Sequence, residues 1–298
     1  PPNVDGGPHV VIAANSTWEP SFTVLDEAGT SWYHPHLHEK TKEQVNAGLA
    51  GMIIVRDESA ADQALLPKTY GVDEFPLILQ YQVFNSAYQL ANSGTTVTMV
   101  NGTIDPILEV PAQMVRFHIL NAEDDGNFTL NMSTGEDLMV IATEGGLLDA
   151  PVMTPALEIV NGERYEIILD LSAYEGQTIH LQNTAQIGGG GGGGRTNADN
   201  MVTLIVGSPT SSALTTIPSA FTTVPAYDQS TATVTRTKIL AGPGWTIDGV
   251  QYDHDVNNEE IYLDDVEIWE ITNNSNIEHP FHIHDVQFYI LDIDGAAP

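Results

Sequence analysis

The chain has 298 residues, with nine lysines and arginines against 40 aspartates and glutamates, so its formal net charge is −31. A field of this sign repels nucleic-acid phosphates and anionic lipid headgroups, and no apolar run is long enough to cross a bilayer. Cysteine is absent, which excludes disulfides, thiolate metal sites and cysteine nucleophiles within these residues. We expect an acidic globular protein with neither nucleic-acid nor membrane partners.

Short apolar runs rich in β-branched and aromatic residues predict strands along most of the chain. In chain order they cover residues 21–25, 51–55, 75–81, 95–99, 115–120, 165–169 and 202–206. Gly, Pro, Asn and Asp separate these runs at short intervals, which is typical of antiparallel β-sandwiches rather than of βαβ units. One short helix is predicted over residues 42–50. The predicted fold class is therefore all-β.

Composition changes near residues 66–74 and across 207–237 divide the chain into three pieces. The pieces are 1–66, 67–207 and 238–298, with 208–237 as a linker rich in Ser, Thr and Pro. A sandwich of about seven strands needs about 100 residues, so the first and last pieces are expected to be incomplete. The glycine run at 188–194 is expected to form a surface loop.

Two tight clusters stand out among the ten histidines: WYHPHLH at residues 32–38 and HPFHIH at 279–284. In an extended chain, residues i and i+2 point to the same side. His34 with His36, and His282 with His284, can therefore each present two imidazoles to one small volume. Imidazole is a good ligand for copper, zinc, iron and nickel. For one such motif alone, a surface pair without a metal is an equal alternative, but two clusters flanked by aromatic residues and proline favour metal binding.

The remaining histidines receive no ligand role. His38 shares a side with the first pair, and it is interpreted as a supporting or surface residue. Single histidines in strand or loop contexts are expected to lie at the surface or to be hydrogen-bonded; these are His9, His118, His180 and His254.

Several segments resemble the multicopper oxidases, the laccase-like family. WYHPHLHEKTKEQVNAGLAGMIIV at 32–55 resembles that family's second histidine motif, and HPFHIHDVQFYIL at 279–291 resembles the first histidine motif of its last domain. VNGTIDPILEVPAQMVRFHILNAEDDGNFTL at 100–130 and GERYEIILDL at 162–171 are similar to its second cupredoxin domain. VDGGP at 4–8 looks like the segment that follows its opening His-x-His motif. The bacterial three-domain branch fits best.

This resemblance implies consecutive cupredoxin-like Greek-key β-sandwiches, of which the first and last are incomplete here. It implies copper in type 1, type 2 and binuclear type 3 sites in the complete parent. The implied reaction couples one-electron oxidation of phenolic or other organic reductants to four-electron reduction of O2 to water, in a periplasmic or extracellular setting. By position, His34 and His36 match type 3 ligands, His282 a type 2 ligand, His284 a type 3 ligand and His279 a type 1 ligand.

The resemblance also gives a role to Asp5. It matches an acid near the copper cluster that helps to deliver protons to bound oxygen. The alternative is an ordinary turn aspartate before two glycines.

The sequence departs from the family pattern in two places. The opening His-x-His motif and the His-Cys-His motif are absent, so these residues do not supply a complete copper set. We therefore interpret the chain as an internal fragment of a longer oxidase that is not active alone. The competing hypothesis is a non-catalytic cupredoxin-fold protein that has lost copper and serves in binding or assembly. A zinc or iron enzyme is a third, less favoured hypothesis.

Overall fold

The structure is a computed structural model that describes residues 10–57, 65–124, 126–185, 199–224, 226–253, 255–277, 279–284 and 286–297. The chain forms two units, Pro1–Val224 and Pro225–Pro298. Within the described ranges, no helix is long and apolar enough to cross a membrane.

The first unit begins with a small two-stranded sheet. β1 (Gly29–Tyr33) pairs antiparallel with β2 (Gly51–Val55), and the helix α1 (Thr41–Asn46) connects them. The helix is shorter than the predicted 42–50, because the chain leaves helical geometry at Ala47 and Gly48 has a φ of +94°. Glycine adopts this left-handed conformation with little steric cost.

The rest of the first unit is a two-sheet sandwich, called here the middle sandwich. Its strands are β3 (Glu74–Phe84), β4 (Thr95–Val100), β5 (Thr103–Ile104), β6 (Ile107–Pro111), β7 (Met114–Asn121), β8 (Phe128–Met132), β9 (Leu138–Thr143), β10 (Gly146–Thr154), β11 (Leu157–Ile159), β12 (Arg164–Asp170), β13 (Thr178–Asn183) and β14 (Asp199–Gly207). One sheet has the order β10-β9-β12-β7-β3-β4-β5, and the other has the order β11-β8-β13-β14-β6.

Both sheets of the middle sandwich are mixed. The pairs β3–β7 and β6–β14 are parallel, whereas the other pairs are antiparallel. The sequence predicted antiparallel sandwiches. Parallel pairs arise because the chain crosses over between strands that are not consecutive.

The core of the first unit lies between these two sheets. Val115, Phe117 and Ile119 project inward from alternate positions of β7 and meet Phe128 and Leu130 of β8, all fully buried. Removing this apolar area from water is the main stabilising contribution to the sandwich.

The outer face of the seven-stranded sheet is also covered. Phe221 packs there against Leu66, Met114, Ile141 and Ile168, so part of the predicted linker lies on the sandwich. All eight residues of β7 are consequently buried. A strand that is covered on both faces has no solvent side.

The second unit contains a four-stranded sheet in the order β17-β16-β15-β18. Its strands are β15 (Val234–Ala241), β16 (Thr246–Ile247), β17 (Val250–Gln251) and β18 (Glu267–Asn273). β15 and β18 are parallel.

Most of the predicted strands are confirmed, with shifts of a few residues at their ends. The prediction of a strand at 21–25 is wrong. In the part of the chain that the structure describes, this segment pairs with no other strand, and Phe22, Val24 and Leu25 are exposed. β-Branched and aromatic residues favour a strand only where a partner and a buried face exist.

Candidate metal centre

The first histidine pair, His34 and His36, follows directly after β1. The segment is not itself a strand, yet the two imidazole centroids lie 5.7 Å apart with ring planes at 33°. The indole of Trp32 stacks on the imidazole of His34 at 4.2 Å. The predicted adjacency of this pair is confirmed, and Trp32 packs beside it.

The hydrogen bond of His34 fixes its tautomer. Its Nδ1 lies 2.9 Å from the carbonyl oxygen of Pro35. Because a carbonyl oxygen only accepts, Nδ1 donates the hydrogen, and the Nε2 of the neutral ring keeps its lone pair. A metal-binding histidine is commonly oriented by this kind of contact to its other nitrogen.

The second histidine pair, His282 and His284, lies in the second unit. Its imidazole centroids are 4.8 Å apart with ring planes at 61°, in a segment outside the strands. Phe281, the residue before this pair, contacts Trp269 and Phe288 with ring centroids at 6.1 Å and 5.9 Å. The predicted adjacency of this pair is also confirmed.

His279 has a defined hydrogen-bond partner. Its Nε2 lies 2.9 Å from the hydroxyl oxygen of Ser275, which also lies 2.7 Å from Oδ1 of Asn273 and 2.9 Å from the carbonyl oxygen of Ile277. The single hydroxyl hydrogen of Ser275 goes to one of these two oxygens, so Ser275 accepts from Nε2–H of His279. The lone pair of the neutral ring is then on Nδ1.

Each unit by itself offers side chains that suit copper, because imidazole nitrogen is a good copper ligand. Within the described ranges, no group of three or more His, Asp or Glu side chains is arranged to hold a metal ion. Each pair therefore offers two donors of the right kind rather than a complete site. Asp5 lies outside the described residues.

The sequence did not predict a buried polar network beneath β1. It consists of Thr30, Glu74, Arg116, His118 and Glu166, which are each at most 5% exposed. Nε2 of His118 lies 3.0 Å from Oε1 of Glu74, and its Nδ1 lies 2.6 Å from the hydroxyl oxygen of Thr30. This hydroxyl donates to Oε1 of Glu166 at 2.8 Å, and Arg116 binds the other carboxylate oxygen.

The network shifts the ionisation of its members. Burial alone would lower the pKa of His118, but its hydrogen bonds with Glu166 and Glu74 raise it above the usual value. Burial would raise the pKa of Glu166, yet His118 and Arg116 lower it to about 2. The sequence does carry one signal for this network. Arg116 and His118 occupy alternate positions of an otherwise apolar strand, and so share its outer face.

The fold and the histidines define the class of protein. An all-β chain with cupredoxin-like architecture and an imidazole pair in each unit has the fold and the kind of side chains found in copper proteins of the cupredoxin type. Sequence comparison agrees, since two multicopper oxidase family models match the chain, one over residues 2–60 and the other over residues 220–298.

Known proteins match nearly the whole chain. A bacterial laccase-like multicopper oxidase, CueO from Ochrobactrum sp., superposes with a TM-score of 0.88 at 31% identity, covering 100% of this chain and 71% of that one. Multicopper oxidase mco of Staphylococcus haemolyticus is 28% identical over 99% of this chain and 62% of its own length. Cell division protein FtsP of Salmonella typhimurium is 32% identical over 98% of this chain and 64% of its own length.

The chain belongs to the multicopper oxidase family. It spans less than two thirds of the length of these two curated relatives.

Proposed function

We propose that this chain is the part of a laccase-like copper oxidase that supplies five of its copper ligands. In the complete oxidase, phenolic or other organic reductants lose single electrons while O2 is reduced to water. Bound copper would supply the one-electron redox chemistry. The observation that carries this proposal is the close pairing of imidazoles in both units of a chain of this family.

The proposed ligand roles follow the family pattern residue by residue. His34 and His36 bind type 3 copper, and His279 binds type 1 copper. His282 binds type 2 copper, and His284 binds type 3 copper. The hydrogen bond of His34 to Pro35 favours this role because it orients the ring through Nδ1.

We propose that Asp5 is the acid that passes protons to oxygen while oxygen is being reduced to water. A carboxylate near metal-bound water is a suitable proton donor and acceptor. We further propose that the protein works outside the cytoplasm, and that O2 and a small organic reductant are its partners. Its net charge of −31 disfavours nucleic acid as a partner.

Copper titration of the full chain, followed by calorimetry, tests this proposal. The double variant His34→Ala/His36→Ala should lose the sites of the first pair, and His282→Ala/His284→Ala should lose those of the second. His180→Ala is the matched control. It removes a single imidazole, whose Nδ1 lies 3.3 Å from the Thr203 hydroxyl oxygen. Copper binding that is equal in all four proteins would overturn the proposal.

A second candidate function rests on the similarity to a cell division protein at 32% identity. Under this alternative, the chain is a cupredoxin-fold binding or assembly protein that has lost copper. The same titration discriminates between the two, because this alternative predicts no copper binding to the wild-type chain at either pair.

A further inference from the structure

The strand that carries the first histidine pair is attached to the middle sandwich through polar contacts. The carbonyl oxygen of Thr30 accepts from Nε of Arg164 at 3.2 Å, and the Thr30 hydroxyl enters the buried polar network. At the end of β2, Arg56 pairs with Glu74 of the same network. A buried hydroxyl or charge that loses its partner is costly, so these contacts determine where β1 lies.

The hydrogen bonds of His118 require both of its nitrogens to carry hydrogen. The single hydroxyl hydrogen of Thr30 goes to the carboxylate of Glu166, so this hydroxyl accepts from Nδ1 of His118. The carboxylate of Glu74 faces Nε2 and only accepts when it is ionised. These contacts therefore favour the imidazolium form of His118, which bonds to a different strand through each nitrogen.

The charged groups that face His118 come from several elements. Glu74 lies on β3 and Glu166 on β12, and both favour the imidazolium. Arg116, on the same strand as His118, opposes it. Thr30 on β1 is uncharged. Arg56 contacts Glu74. The two carboxylates prevail, and the pKa of His118 is raised.

The position of β1 determines where the first histidine pair lies, because the pair follows directly after this strand. Thr30 and Trp32 are two residues apart in the strand and so share a face. The indole of Trp32 lies against Gly162, because a Cβ added to this glycine would be 3.7 Å from Cζ2 of the indole. The same indole stacks on the imidazole of His34.

We propose that His118 is a positioning residue for the first histidine pair: through Thr30 it fixes the strand that carries this pair onto the middle sandwich. The copper role of the pair rests on the proposed function, whereas the attachment of β1 does not.

Loss of the His118 proton removes one of its two donors and loosens β1. A raised folded pKa means that this stabilisation is complete below the unfolded pKa, about 6.5, and is lost as pH rises through the folded value. Amide hydrogen exchange of residues 30–33 in the copper-free full chain measures how firmly β1 is held at each pH. After correction for intrinsic exchange, protection should fall about tenfold for each unit by which the pKa is raised.

In His118→Gln, the protection of β1 should be low at pH 6 and should not change with pH, while β13 stays protected. His180→Gln is the matched control and should behave as the wild type. A pH-independent β1 in the wild type, or an unchanged pH dependence in His118→Gln, overturns the positioning role. If His118→Gln does not fold, titration of the His118 ring by NMR in the wild type decides. A ring that loses its proton below pH 6 contradicts the proposal.

Copper affinity provides the second readout. Thr30→Val keeps the shape of the side chain but removes the hydroxyl, and should weaken copper binding at the first pair about tenfold while leaving the second pair unchanged. An unchanged affinity at the first pair overturns the link between Thr30 and this pair. If the wild type binds no copper there, the proposed function fails, and the exchange experiment still tests the attachment of β1.

Discussion

Histidines in this chain differ in role because their nitrogens face different atoms. His34 donates through Nδ1 to a carbonyl oxygen. His118 faces oxygen atoms at both nitrogens, and the carboxylates beside it favour its cationic form by raising its pKa. The same side chain thus serves as a ligand candidate in one place and as a structural charge in another, and its hydrogen-bond partners decide which.

A half-buried carboxyl pair just after β7, Glu123 and Asp124, gives a pH-dependent prediction. Burial, together with a hydrogen bond to Asp124, raises the pKa of Glu123 to about 8. The unfolded chain loses this proton near pH 4.5, so the contribution of Glu123 to stability is complete below that pH and is lost as pH rises towards 8. Glu123→Gln should therefore unfold with a weaker pH dependence between these values.

Chemical denaturation across pH 4–9 measures this effect. Glu158→Gln, which changes an exposed carboxylate on β11, is the matched control. If Glu123→Gln and Glu158→Gln show the same pH profile as the wild type, Glu123 does not hold its proton in the folded protein.

The sequence predicted the residues of the site better than the residues that support it. His34, His36, His282 and His284 stand in His-x-His motifs, and local chain geometry is enough to pair their rings. The contacts of His118 come from strands far away in the chain, and no local pattern predicts that Thr30 of β1 meets His118 of β7. The expectation for His118 is a surface or hydrogen-bonded residue, and the structure shows it buried and hydrogen-bonded to partners that only the tertiary structure brings together.

At the scale of elements, local patterns located the strands and missed their pairing. The predicted run at 51–55 is β2, and 95–99 lies within β4. The parallel pairs β3–β7 and β6–β14 depend on crossover connections, which strand propensity does not encode. The run at 21–25 has the composition of a strand without the partner that would make it one.

The close approach of β1 to the turn between β9 and β10 gives a second stability prediction. Gly146 has a φ of +105°, and a Cβ added there would lie 2.7 Å from the carbonyl oxygen of Ala28. Gly135 has a φ of +79° with no atom within 4 Å of an added Cβ. Both alanine variants suffer backbone strain, but only Gly146→Ala also clashes. It should be less stable than Gly135→Ala by about 1–3 kcal/mol.

Urea denaturation of the two variants provides the comparison. Because both variants carry strain from a positive φ, the difference between their unfolding free energies reports the contact with Ala28 together with the larger φ of Gly146. Equal stability of the two variants would show that β1 moves away from this turn at no cost.

At the scale of the whole molecule, composition and motifs indicated the family before the fold was known. The absence of cysteine limits what this chain does with copper. A type 1 site owes its intense blue colour to a thiolate ligand. The copper-loaded chain should therefore show only weak absorption in the visible range. An intense blue absorption band from this 298-residue chain would contradict the proposed ligand set.

Pulsed electron paramagnetic resonance of the copper-loaded full chain tests whether the paired imidazoles bind copper. With isotopically labelled histidine, we predict coupling of the copper electron spin to imidazole nitrogen. This coupling should weaken in His34→Ala/His36→Ala and in His282→Ala/His284→Ala, but not in His180→Ala. Copper signals without histidine nitrogen coupling, or couplings that are equal in all variants, would contradict the account.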